Sequence, residues 1–190
     1  GGVGTPGDDA AAGDNLPMAV NVFSGNGSES LYVTTADGRL YSCGNDSHGQ
    51  LGHGETKNCA DTFPFPRRIK ELSSIRFIQV SCGANHTVAL SSTGKIFAFG
   101  QGTCGALGLG SRRNRHTPTP INSLQAAALV QMAAGENHSC ALGMDGKVYT
   151  WGKGRYGQLG NGRFGYSLSP VHVSKLREPV KMIASGSDQI

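Results

Sequence analysis

The sequence predicts an all-β chain, a β-propeller of four-stranded antiparallel blades, with about three blades plus the start of a fourth. Three observations predict it. The first is a repeat: DGRLYSCGNDSHGQLGHG at 37–54, TGKIFAFGQGTCGALGLG at 93–110 and DGKVYTWGKGRYGQLGNG at 145–162. Five glycines keep their phase through all three copies, at steps of 56 residues (94 − 38) and 52 residues (146 − 94), a period that marks a repeat architecture. The second is that each period holds four short apolar runs joined by glycine-rich loops, the make-up of a propeller blade. The third is that these runs are apolar at successive positions. Both faces of each sheet should therefore be covered, as in a stack of sheets.

Residues 1–17, GGVGTPGDDAAAGDNLP, are rich in Gly, Ala and Asp and lack an apolar pattern. They read as a disordered tail or linker. The first unit, about 18–54, opens on Met18, Val20 and Val22, which alternate as a strand does. GSES from Gly27 follows, then Leu31-Tyr32-Val33, the Asp37-Gly38 turn and Leu40-Tyr41. Asp-Gly between apolar runs predicts a two-residue hairpin turn of type I′, with positive φ at both residues.

The second unit, about 55–110, begins with a proline followed by a predicted strand, Pro66 with Ile69 and Leu72. It continues with Phe77-Ile78-Gln79-Val80, GANHT from Gly83, Val88-Ala89-Leu90, the weaker turn Thr93-Gly94, and Ile96-Phe97-Ala98-Phe99. Gly54 to Gly83 spans 29 residues where Gly110 to Gly135 spans 25 and Gly162 to Gly186 spans 24. The surplus is placed between Glu55 and Pro66 as a longer surface loop. The third unit, about 111–162, repeats the layout with Pro120, Ile121 and Leu124, then Leu129–Met132, GENHS from Gly135, Cys140–Leu142, Asp145-Gly146 and Val148–Trp151. Residues 163–190 start the next, with Pro170, Val171, Val173 and Leu176, then Val180–Ile183 and GSDQ from Gly186. Three and a fraction blades leave open edges. The remaining blades are expected from the same protein or from another copy, and the chain reads as an excised fragment.

Composition narrows the function. Net charge is +4, too small to insist on nucleic acid. No apolar run is long enough to span a membrane. The five cysteines form no Cys-x-x-Cys pair and read as small buried side chains in a reducing, intracellular compartment. The glycine-rich loops lack the Lys-Ser/Thr of a P-loop, and their glycines follow strands without opening a helix. No nucleophile and base stand at a plausible spacing, so no catalytic residue, metal ligand or cofactor is expected.

Two sets of residues stand out. His86 and His138 recur at one repeat position, which points to a structural imidazole bridging strands or blades. They join Gly44, Gly52, Gly83, Gly100, Gly108, Gly135, Trp151, Gly152 and Gly160 as repeat-frame residues. The second set is the loop before each GQLG-like motif, which keeps its glycines and varies its tips: Asn45–His48, Gln101–Cys104 and Lys153–Tyr156. A fixed frame with variable tips suits recognition. Just after the last motif glycine come basic residues: Lys57, then Arg112, Arg113 and Arg115 with His116, then Arg163. Their equal phase places them on one rim; Arg67, Arg68 and Lys70 form a further basic group. A solvated rim, an acidic protein, DNA phosphate and anionic lipid all remain open for these positions.

Proline-strand, G-x-x-H-[ST], DG hairpin, WG and GQLG-x-G, clearest at 120–162, together resemble the regulator of chromosome condensation repeat family across about residues 18–190. Kelch repeats would show a Gly-Gly doublet in each blade, and the only doublet is Gly1-Gly2; no WD dipeptide occurs. The resemblance implies a seven-bladed propeller, of which this chain is a part, in a cytoplasmic or nuclear protein. Members of that family include an exchange factor for the GTPase Ran, very large ubiquitin ligases, scaffolds and a plant UV-B photoreceptor. Ser30 and Gln189 stand where the motif has His, Ala106 where it has Gln, and Cys43 and Phe99 where it has Trp. A single tryptophan, Trp151, argues against light sensing of the plant type. The first functional expectation is a non-enzymatic module docking a protein partner on one loop face, through His48, Lys153, Arg155 and Tyr156 with Arg112, Arg113 and Arg115. The second is part of a guanine-nucleotide exchange factor for a small Ran-like GTPase, which in this family inserts a β-wedge; only 55–66 could supply one, and Phe63-Pro64-Phe65-Pro66 is poor hairpin material. The third is chromatin binding through the basic rim.

Overall fold

The computed structural model describes residues 18–25, 28–54, 62–72 and 74–187. The expected tail, Lys57, Gln189 and most of the expected long loop lie outside them. Twelve strands form three antiparallel sheets of four. Blade 1 holds β1 (Ala19–Ser24), β2 (Ser30–Thr35), β3 (Leu40–Asn45) and β4 (Thr62–Arg68). Blade 2 holds β5 (Phe77–Cys82), β6 (His86–Ser91), β7 (Ile96–Gly100) and β8 (Arg115–Pro120). Blade 3 holds β9 (Leu129–Ala134), β10 (His138–Gly143), β11 (Val148–Lys153) and β12 (Tyr166–His172). Each sheet is a meander in chain order.

Two details differ from the sequence reading. The prolines close strands; they do not open them. Pro66, Pro120 and Pro170 lie within β4, β8 and β12, and Ile69 and Ile121 lead into short 3-10 turns at Lys70–Leu72 and Asn122–Leu124. These strands are the last of their sheets, and an outermost strand tolerates a residue with no N–H to donate. A blade therefore ends one strand later than the sequence unit. The hairpins are also not type I′. No non-glycine residue among those described has positive φ, whereas Gly38, Gly94 and Gly146 have φ near 80° (80°, 78° and 78°). Thr35 N donates to Arg39 O (3.1 Å) and Gly38 N to Thr35 O (2.7 Å), the three-residue loop with a glycine bulge. Asp at the preceding position needs no left-handed backbone, which explains why Thr93 serves there equally well. Its carboxylate instead accepts from the backbone, as Asp145 Oδ1 does from Lys147 N (3.1 Å).

The blades stack with three cores. Tyr32, Leu40 and Leu51 of the first blade meet Ala89, Phe97 and Phe99 of the second. Val88, Leu90 and Ile96 of the second meet Ala141 and Trp151 of the third. Cys140, Leu142 and Val148 pack with Val173 and Ile183. Strand β6 is buried along its whole length, as a sheet between two others requires, and β10 is equally buried, with Val173 and Ile183 after β12 packed on its outer side. The face of blade 1 turned from blade 2 carries Val22 and Leu31, which are exposed.

Polar clasps tie the innermost strands. Gln79 on β5 donates from Nε2 to Met132 O (2.9 Å) on β9 and accepts from Met132 N (3.0 Å). One blade on, Gln131 does the same with Ile183 (2.9 Å in both directions).

Candidate functional site

The repeat-frame residues lie at the blade seams. His86 opens β6 and is buried, with Nε2 2.9 Å from Ser139 Oγ on β10 of the next blade. His138 Nε2 stands 2.9 Å from Ser185 Oγ, on the segment after β12 and at the repeat position of Ala134, not of Ser139. Ser139 Oγ and Trp151 Nε1 both donate to the Ala106 carbonyl, at 3.0 and 2.7 Å. Burial, and then His138, push the pKa of His86 down to about 3, so its ring is neutral. Gly83 and Gly135 make room for the rings: a Cβ on Gly135 would lie 2.3 Å from the His138 ring and 2.5 Å from Gly186 O. At Gly152 (φ +101°) a Cβ would also lie 2.6 Å from Asn137 O. Gly44 and Gly100 repeat that geometry, and Gly52 and Gly108 lie against Phe99 and Trp151. Gly160, the third copy, has Val173 as its nearest neighbour.

The tip residues and the rim residues, separate in the sequence reading, meet in space. The reason is a seam contact. The loop after β7 reaches over blade 3, and Gly110 N donates to Leu168 O on β12 (2.8 Å). Arg112, two residues on, is thereby set over Tyr166, two residues back along β12. The Arg112 guanidinium lies 5.0 Å from the centre of the Tyr166 ring. Arg155, from the loop between β11 and β12, lies 5.3 Å from the same centre. Beside it Lys153 Nζ stands 5.6 Å from the centre of the Tyr156 ring. Such cation–π contacts contribute roughly 0.5–1 kcal/mol each at exposed sites. Tyr156 and Phe164 are 75% and 83% exposed, so two large rings face solvent among the cations. Neither Arg112 nor Arg155 forms an ion pair among the described residues, and the sequence has no Asp or Glu from 72 to 135 or from 146 to 177.

The other expected residues are placed differently. Arg113 is exposed, while Arg115 begins β8 opposite Gly100 and is half-buried. His48 belongs to the preceding seam: its loop abuts His116 on β8, and its Nδ1 lies 2.9 Å from Ser47 Oγ. Arg67 stacks on Phe63 of its own strand, 5.7 Å from the ring centre. Tyr166 and Phe164 were missed by the sequence reading. The signal for Tyr166 was the tight link from Gly110 into the following blade, which no single repeat displays. No group of three His, Cys, Asp or Glu among the described residues could hold a metal ion, and no helix there is long and apolar enough to cross a membrane.

Comparison with known proteins gives one consistent result. The Regulator of chromosome condensation (RCC1) repeat matches at residues 37–90, 93–142 and 145–190. The chain is 40% identical over 173 residues to the E3 ubiquitin-protein ligase HERC2 of Mus musculus, covering 89% of this chain and 4% of that protein. It is 35% identical over 174 residues to the Ultraviolet-B receptor UVR8 of Arabidopsis thaliana, covering 90% of this chain and 38% of the receptor. Among solved structures, Prp20p from Saccharomyces cerevisiae, described with its binding properties to Gsp1p and histones, superposes with a TM-score of 0.80 at 22% identity, covering 91% of this chain and 43% of that one. The chain thus spans well under half the length of these relatives.

Proposed function

The chain belongs to the regulator of chromosome condensation (RCC1) repeat family, and we propose that it is a non-enzymatic docking module that holds a protein partner on the loop face where blades 2 and 3 meet. One observation carries this reading: Arg112 and Arg155, from loops of two blades, lie over Tyr166, and Lys153, which ends β11 opposite Tyr166, lies over Tyr156. Exposed Tyr and Arg held in place by one another are the residue types that dominate interface energies. They lose little freedom on binding, because the stacking has already fixed them. The reading is also consistent with relatives as different as a ubiquitin ligase and a photoreceptor sharing the propeller.

The exchange-factor reading asks for a projecting β-wedge. The described part of the segment it would use, from Thr62, is strand β4, paired with β3 through a register shift between Phe63 and Arg67. A DNA-binding reading predicts binding that falls steeply with salt. The deciding experiment is capture with full-length protein, wild type against Tyr156→Ala and Lys153→Ala/Arg155→Ala, offered a panel of small GTPases (nucleotide-free and GTP-loaded) and a DNA duplex alongside cell extract. Protein partners lost from both variants, with unchanged thermal unfolding, support docking at this face. Capture unaffected by either variant refutes the assignment. Selective retention of one nucleotide-free GTPase would move the reading to exchange.

A further inference from the structure

Resting on the docking face just described, we infer that the Arg112–Tyr166–Arg155 cluster is a clamp for carboxylates, and that the partner segment it takes is an acidic stretch of protein. Two guanidiniums are held about one ring, 5.0 and 5.3 Å from its centre. Like charges that share one ring repel each other. An anion between or beside them removes the repulsion. Among the described residues neither arginine forms an ion pair, and the flanking sequence has no Asp or Glu over 72–135 and 146–177. The acidic groups at the hairpin turns are already paired locally, Asp37 with Arg39 and Asp145 with Lys147. An arginine whose face lies on a ring still presents its edge donors outward, in the fork that matches a carboxylate.

The same geometry favours a peptide over a nucleic acid. Single strands bind such surfaces by stacking bases on open aromatic faces. Here Arg112 and Arg155 both lie over Tyr166, and Lys153 lies over Tyr156, so each of these two tyrosines already carries a cation where a base would stack. Phe164, 83% exposed beside the cluster, is an apolar contact for a residue flanking the acids. The two arginines come from different blades, so the clamp exists only where the seam is intact.

Fluorescence anisotropy with full-length protein tests the inference. The probes are a labelled peptide with glutamates around one phenylalanine, its glutamine counterpart, and an oligothymidylate. The glutamate peptide should bind, more weakly as salt rises, and the glutamine peptide should not. Arg112→Ala and Arg155→Ala should each weaken binding about tenfold, as expected for loss of a charge-assisted hydrogen bond. Arg155→Lys, which keeps the charge but not the fork, should fall between. Equal binding of the glutamine peptide, with loss in Tyr156→Ala, would overturn the clamp and leave the docking face standing. Binding of oligothymidylate in preference to the glutamate peptide would overturn both. No binding of the glutamate peptide, or binding indifferent to both arginines, overturns the clamp.

Discussion

The Tyr32 hydroxyl lies 2.8 Å from Thr87 Oγ1, across the seam between blades 1 and 2. At the next seam the equivalent contact is His86 to Ser139. Blade 1 has Ser30 where His86 stands, and Ser30 Oγ turns inward to Asn45 O (3.1 Å). Blade 2 has Phe99 where Trp151 stands, so the indole donor to the loop carbonyl is also missing. Tyr32 replaces both: its hydroxyl donates to Gln50 O, the counterpart of Ala106 O, and meets Thr87. Thr87 Oγ1 also donates to Gln50 O (3.1 Å), so Tyr32→Phe should remove one of two donors to a buried carbonyl, at a cost of about 1 kcal/mol. Urea unfolding should show a lower midpoint with an unchanged slope. No shift in midpoint would mean that water or Thr87 alone satisfies Gln50.

A neutral His86 makes stability depend on pH. Its pKa falls from 6.5 unfolded to about 3 folded, so the unfolded chain binds the extra proton between those values. Stability is then fully present above pH 6.5 and is lost as pH falls toward 3, by about 1.4 kcal/mol per unit for one group. Burial lowers the pKa of His53 as well, adding to the same trend. His86→Gln, which can still reach Ser139, should flatten the curve. Denaturant melts at a series of pH values above the carboxylate range would measure it, and an unchanged slope would exclude His86 as the source.

The fold was legible because its signal is repeated. Gly44, Gly100 and Gly152 recur since each serves the same close approach, and three copies fix the period better than any one fixes a strand. What one repeat cannot show is what lies across a seam. His86 could be read as a bridge, but Ser139 could not be named as its partner from spacing alone. By spacing Tyr32 is an ordinary strand residue, because it replaces two motif residues from a third position. Arg112 and Arg155 are 43 residues apart (155 − 112), and only the step from Gly110 to Leu168 brings them to one ring. The turn was misjudged because Asp-Gly suits two hairpin types, and the register that separates them is a property of the paired strands.

Gly135→Ala tests the close approach directly. The backbone there is not left-handed, so the expected cost is steric alone. The new methyl would meet the His138 ring and Gly186 O at 2.3 and 2.5 Å. Destabilisation of about 3 kcal/mol is expected. Gly162→Ala is a useful contrast, since a Cβ there meets nothing within 4 Å, although φ is +75°; its cost should be about 1 kcal/mol, from backbone strain. Equal losses at the two sites would show that packing at Gly135 yields easily.

Gln79→Ala separates seam strength from global stability. The side chain both donates to and accepts from Met132, so its removal leaves two half-buried backbone groups unpaired on β9. A cost of about 1–3 kcal/mol follows, and it should fall on one seam. Blades in a stack contact only their neighbours, so local opening is a property of each interface. Hydrogen exchange at the Met132 amide should accelerate about tenfold or more. Exchange at Ile183, held by the separate Gln131 clasp, should change far less. Equal acceleration at both amides would mean that the blades open as one unit, and the seam would then not be the element that yields first.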